Sequence, residues 1–353
     1  MRILFVSAYH PSHDAPSSGP KLVAREIDSL RRDGHDVVVV SFENELDRSA
    51  FPDGLAEPAP PDRMFRVTRR DRVLGALRHP CLPLGASARP VVAGATIRRL
   101  LAAERFDEIR VEFIQGLASI PRADWDRVTL VAHDILTQLW ERRVAHATGV
   151  RRIAARFELA RVQRFEAAAF RAVRRLVTLN EKDRDLARRL SGRDDVEVRY
   201  PRIVPYIDPA ERTPDVVERR TLLYWGHMAR AENVDAVTHF VDGIFPRILA
   251  ERPETRLVVA GIDPPAAVRA LAGPNVVVTG YLPDPAPVFR RAGLGVVPLR
   301  LGAGIKIKTI EMLDAGIPVI ATTVGAEGVC PSPLLTVVDG DEAFARAVIL
   351  ALG

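Results

Sequence analysis

Only two cysteines occur among the 353 residues, Cys81 and Cys330, and they are far apart in sequence. They form neither a Cys-x-x-Cys pair nor a cluster with nearby histidines, so a disulfide scaffold and a cysteine-based metal centre are excluded, and a reducing compartment is expected. Met1 to Ser7 lacks the basic start, long apolar stretch and small-residue cleavage site of a signal peptide. No apolar run is long enough to span a bilayer, and the expectation is a cytoplasmic chain. Charge of one sign is also scarce. The net charge is +5, and the arginines are spread along presumed helices instead of forming one block, so nucleic acid is not an expected partner. The 47% hydrophobic and 27% charged residues that remain describe a globular chain, and its length suits two domains, each with its own core.

Strands alternate with helical stretches in both halves. The first half reads as strands at Arg2 to Ala8, Asp36 to Phe42, Arg63 to Thr68, Glu108 to Phe113, Val128 to His133 and Leu176 to Leu179. The second reads as strands at Thr221 to Trp225, Arg256 to Ala260, Asn275 to Thr279 and Gly293 to Pro298. Several are continuously apolar, as parallel strands covered on both faces are. Gly226, Gly261 and Gly280 each follow a strand directly, which keeps one sheet edge open to a ligand. Three prolines in Tyr200 to Pro209 read as a linker. The expected fold class is α/β, with two doubly wound, Rossmann-like domains over residues 1–204 and 205–353.

The segment Gly302 to Gly328, GAGIKIKTIEMLDAGIPVIATTVGAEG, carries the chemistry. A short apolar run, Gly293 to Leu299, precedes it, so the glycine loop lies where a strand ends and a helix begins. Gly302 and Gly304 allow close backbone approach, and the free N–H groups of the helix favour an anion. Lys308 and Glu311 share a helix face, offering a cation to a phosphate and a carboxylate to hydroxyls such as those of a ribose. Gly316 stops the helix, and Ile317 to Val324 reads as a buried strand. Locally, an ordinary Gly-x-Gly turn followed by a solvated Lys–Glu pair fits the same pattern.

The whole string resembles the donor-nucleotide signature of glycosyltransferase family 4, in which Gly-x-Gly-x-Lys-x-Lys-x-x-Glu is followed by Ala-Gly-x-Pro-Val and a glycine turn. The resemblance extends over nearly all of the chain and implies the GT-B fold, two Rossmann-like domains facing a cleft, and retaining transfer from a nucleotide-diphosphate sugar. It implies donor contacts from Gly302, Ala303, Gly304, Ile305 and Lys306, with Lys308 and Glu311 at the reacting end. Ala303 stands where the first glutamate of the family's paired motif usually is. Ile3 to Val6, Gly19 and the helix from Lys21 to Arg32 look like the amino-terminal unit, placing Gly19 and Lys21 near the donor phosphates; a plain Ser-Gly-Pro turn is the alternative. Around Trp225 to Ala236, Gly226, His227, Arg230 and Asn233 match the first strand-loop-helix of the nucleotide domain. His227 and Asn233 occupy positions where many relatives carry Arg and Lys. Tyr281 and Leu282 resemble the loop that holds the base.

On the acceptor side the resemblance points to His133, at the end of Val128 to Asp134, as the residue that contacts the transferred sugar. A strand-end His with Asp134 as an N-cap is the alternative reading. Glu112 and Gln115 follow the preceding strand and could line the same cleft; an unpaired carboxylate is rarely buried, so Glu112 is either solvated or employed. No metal ligands and no cofactor are assigned. The acceptor is a sugar, a lipid-linked molecule or a natural product, in bacterial surface-glycan or natural-product biosynthesis. A nucleotide-sugar epimerase of the same fold and a catalytically weak binding subunit are the other functional readings. The basic helical stretch 151–175, with Ile153, Phe157, Ala160 and Phe165 at helical intervals, is expected either to touch the inner membrane face peripherally or to pack inward with its arginines in water. Relatives continue past Asp341 to Val348 through further helices, so the second domain reads as short at Gly353.

Overall fold

The computed structural model describes residues 1–13, 15, 18–43 and 61–353. They form two compact units, Met1–Pro201 and Arg202–Gly353, and the division falls inside the proline-rich stretch that starts at Tyr200.

The first unit holds a seven-stranded parallel sheet in the order β3-β2-β1-β4-β5-β6-β7. Its strands are β1 (Arg2–Ser7), β2 (Asp36–Glu43), β3 (Arg63–Arg66), β4 (Glu108–Glu112), β5 (Val128–Ala132), β6 (Arg175–Thr178) and β7 (Val196–Val198). Ile3 to Val6 are fully buried, and the two-residue period of the strand sends them to opposite sides of the sheet. Leu4 and Val6 pack with Val38, Val40 and Val111, while Ile3 and Phe5 pack with Val23, Ile27, Val37 and Val39. Each fully buried side chain of this kind contributes about 1.5–3 kcal/mol. The strand order reverses between β1 and β4, where Ser7 lies opposite Glu112, and that reversal is the crevice at which such sheets take ligands.

The second unit repeats the design with six parallel strands in the order β10-β9-β8-β11-β12-β13. They are β8 (Glu218–Trp225), β9 (Arg256–Ala260), β10 (Val276–Gly280), β11 (Ala292–Val297), β12 (Val319–Ala321) and β13 (Leu335–Val337). Here the order reverses between β8 and β11, and the helix Ile307–Asp314 follows β11. The expected strand Ile317 to Val324 shrinks to three residues. Thr322 ends it, its carbonyl accepting the Ala326 N–H at 2.9 Å and its Oγ1 the Gly325 N–H at 3.0 Å, so the chain turns before Val324. Strands β7 and β13, three residues each at the sheet edges, are too short to show a period in sequence.

The basic segment forms the helix Gly149–Ala172. Phe165 is buried within it, as inward packing requires, whereas Ile153 and Phe157 are exposed. Among the described residues no helix is long and apolar enough to cross a membrane.

Candidate functional site

In the second unit the loop between β11 and its helix has Gly302 and Gly304 at φ of 126° and 71°. Lys306 turns back into this loop. Its Nζ donates to the carbonyls of Ala303 at 3.0 Å and Gly304 at 2.7 Å and pairs with Glu327 Oε2 at 3.2 Å, both partners being buried. Its backbone N–H donates to the Glu327 carbonyl at 3.0 Å. The side chain that sequence assigns to the donor therefore holds the loop in shape, with Ile305 half-buried between the carbonyls it grips and the helix.

Lys308 is enclosed differently. Its Nζ donates to Tyr224 Oη at 3.2 Å and to Asn233 Oδ1, and lies 4.7 Å from the Tyr224 ring centroid. Burial pushes its pKa down to about 7, against the pull of Glu232. An ammonium has three donors, so one remains for a ligand. Three residues on, Glu311 is buried; its Oε2 accepts from Trp225 Nε1 at 3.0 Å and its Oε1 from Tyr206 Oη at 3.4 Å. The Trp225 ring meets those of Tyr206 and Phe289 edge to face, and Tyr206 and Phe289 pack tilted at 57°. Lys308 and Glu311 thus meet adjacent residues at the end of β8, the strand next to the sheet's reversal.

Asn233 joins the two loops of this edge. Its Oδ1 accepts from Tyr224 Oη at 2.9 Å as well as from Lys308, and its Nδ2 donates to the His227 carbonyl at 2.7 Å. The loop carrying His227 is tied to the neighbouring one by Gly226 N–H to the Ala260 carbonyl at 3.1 Å and Met228 N–H to the Ile262 carbonyl at 2.9 Å. The approach is so close that a Cβ on Gly261 would lie 1.7 Å from the Gly226 carbonyl oxygen. His227 Nε2 sits 3.3 Å from Asp263 Oδ2, and Asp263 takes the left-handed φ of 55°. Burial lowers the His227 pKa, and Asp263 opposes the shift. Arg230 Nε bonds Glu232 at 2.6 Å. Tyr281 is exposed, while Leu282 packs against the core.

In the first unit Phe113 organises the edge next to β4. It has a φ of 63°, a strained conformation that costs on the order of 1–3 kcal/mol in a non-glycine residue. Its ring stacks on His133 at 3.8 Å and 24° and meets Tyr9 edge to face at 4.8 Å. A Cβ on Gly19 would lie 2.9 Å from the same ring, so Gly19 makes room for it. The stack sets His133 against Glu112, with Nε2 2.7 Å from Oε2, the carboxylate buried and the imidazole nearly so. Nε2 is thereby committed to the carboxylate, which leaves Nδ1 as the ring atom open to a substrate. Gln115 is buried in the short helix Ile114–Leu117, and Lys21 and Asp134 are half-buried. Below His133, Glu166 accepts the Leu136 and Thr137 N–H groups at 2.7 and 2.8 Å, capping the helix Leu136–His146 from the side.

Tyr224, Tyr206, Glu327, Asp263, Phe113 and Glu166 were not singled out from sequence. Glu327 lies inside the signature segment, two residues after Gly325, so its place was visible and its partner was not. Asp-x-Asp triplets occur at 124–126, 183–185 and 339–341. Asn180 caps a helix by accepting the Asp183 N–H, while Asp339 bonds Thr323 and Asp341 bonds His239. Among the described residues no group of three or more His, Cys, Asp or Glu is placed to hold a metal ion.

Residues 219–353 match the family described as Glycosyl transferases group 1. The whole chain aligns with HepE of Anabaena, solved with UDP and glucose, at 15% identity and a TM-score of 0.61, covering 100% of this chain and 90% of that one. The UDP-forming α,α-trehalose-phosphate synthase of Burkholderia vietnamiensis aligns at 14% identity and 0.59, covering 100% and 91%. A glycosyltransferase of Rickettsia africae aligns at 12% and 0.56, covering 99% and 87%. No curated protein matches in sequence. The fold is that of GT-B glycosyltransferases, and the match over 219–353 supports the same enzyme class.

Proposed function

We propose that the protein is a retaining glycosyltransferase of family 4 that moves a sugar from a nucleotide-diphosphate donor to a hydroxyl or amine of an acceptor, in bacterial surface-glycan or natural-product biosynthesis, with no obligatory metal. The observation that carries the reading is Lys308, held by Tyr224 and Asn233 with one donor left over, one helical turn from the buried carboxylate of Glu311. The diphosphate takes Lys308 and the N–H groups at the start of Ile307–Asp314, which stabilise the negative charge that grows as the anomeric bond breaks. Glu311, held in place by Trp225 and Tyr206, takes the ribose hydroxyls. On the first unit His133, oriented by Glu112, is the residue to which the family resemblance gives the sugar contact. Retention follows if the leaving phosphate accepts the proton of an acceptor attacking from the same face. The UDP and glucose bound to the Anabaena relative support a uridine donor.

The test is to incubate the purified chain with a panel of nucleotide sugars and acceptors, following nucleotide release and product mass. Sugar transfer with retained anomeric configuration in EDTA is the expected result. Donor conversion without acceptor would make the protein an epimerase, and binding without turnover a binding subunit. In the same assay Lys308→Ala is expected to lower kcat/KM by about ten- to hundred-fold, the worth of one charge-assisted hydrogen bond.

A further inference from the structure

The helical hairpin formed by Leu136–His146 and Gly149–Ala172 ends in a tip whose composition has no explanation in the core. Residues 142–157 contain five arginines and no acidic residue. At the same tip Val150, Ile153 and Phe157 are 81%, 57% and 70% exposed. Their spacing of three and four places them on one helix face. The buried residues Ala155, Glu158, Val162 and Phe165 lie about a third of a turn away, so the exposed apolar face is separate from the one that packs inward. Arg156 lies about a quarter of a turn from it, and Arg151 and Arg152 about a third of a turn away on opposite sides; all three are exposed.

A second segment continues this character. Arg69–Arg78 is a helix with exposed Val73 and Leu77 among Arg69, Arg70, Arg72 and Arg78. It packs through Gly75 on the backbone of Ser87 and Ala88, while Glu158 of the hairpin accepts the Leu84 N–H at 2.6 Å at the start of the same turn. Leu84 itself is exposed.

We propose that this surface, centred on the hairpin tip, docks on an anionic lipid bilayer. Apolar side chains enter the interface, while flanking arginines lie along it with their heads among lipid phosphates. A soluble polyanion would reward the arginines and leave Val150, Ile153 and Phe157 in water; the bilayer uses both. Each basic residue near such a surface contributes about a five-fold gain in partitioning. The structure also redraws the expected contact region, since the half of Gly149–Ala172 beyond Phe157 turns its larger apolar residues, Val162, Phe165 and Phe170, into the core.

The test is co-sedimentation of the full chain with vesicles of phosphatidylcholine containing about one third phosphatidylglycerol, at the ~0.1 M salt where the screening length is ~10 Å. Binding is expected, weakened at least ten-fold by pure phosphatidylcholine vesicles. Replacing Arg151, Arg152 and Arg156 with Gln, and separately I153S with F157S, should each lower it at least ten-fold with the melting temperature unchanged, because these side chains are exposed. Absence of binding by the unsubstituted chain overturns the proposal, as does binding that survives either set of substitutions. Loss with the arginine set alone identifies a surface for soluble polyanions. Vesicle binding is measured without donor or acceptor, so its failure leaves the transferase reading intact, and the converse holds too.

Discussion

At the scale of residues, two lysines two positions apart have opposite duties. Lys306 bonds the carbonyls of its own loop and Glu327, whereas Lys308 is held at the end of β8 by Tyr224 and Asn233. Sequence showed both lysines in one signature; only the fold shows which ammonium points inward. Asn233, read from sequence as a lost positive charge, becomes the amide that fixes Lys308 and the His227 carbonyl together. A pH dependence follows for Lys308. Its folded pKa of about 7 lies below the ordinary 10.5, so above pH 7 the free protein holds it neutral. A bound diphosphate favours the ammonium, so binding takes up a proton between pH 7 and 10 and weakens as pH rises. Calorimetry of UDP binding at pH 8 in buffers of different ionisation enthalpy is expected to show this uptake, and Lys308→Met should abolish it.

At the scale of elements, the helix Leu136–His146 starts with no side-chain cap of its own, and Glu166 of the next helix supplies one. Capping residues are sought in sequence immediately before a helix; this one lies 30 residues after Leu136 and was not legible. Burial raises the Glu166 pKa from 4.5 to about 8, against the hydrogen bonds from Thr137 and Leu136 that favour its anion. For a folded pKa raised above the unfolded value, the stabilisation is full below about pH 4.5 and is lost as pH rises through about 8. Glu166→Gln should therefore match the native melting temperature at pH 4.5 and exceed it at pH 8.5, by about 2–4 °C for each kcal/mol of relief in a unit this size. Equal pH profiles for the two proteins would remove the raised pKa. The strands show the opposite case. Ile3 to Val6 and Val37 to Val40 were legible because burial on both faces leaves an unbroken apolar run.

At the scale of the whole molecule, the two units have separate cores, and the residues proposed for the donor, Lys308, Glu311 and Asn233, all belong to the second. UDP at a hundred times its Kd is expected to stabilise the native protein by about 2.7 kcal/mol. Hydrogen exchange should show the largest added protection over 226–233 and 302–311; protection centred elsewhere would displace the donor site. The alternation of strand and helix, the proline-rich joint and the glycine signature were determined by sequence alone, because backbone geometry and burial on both faces write themselves into local composition. Tertiary structure alone decided the rest: which lysine its own loop holds and which Tyr224 and Asn233 hold, that Phe113 accepts a strained φ to stack His133 against Glu112, and that Val150, Ile153 and Phe157 face outward. Each depends on contacts between residues distant in sequence or on which side of a helix the core lies, and no local pattern encodes either.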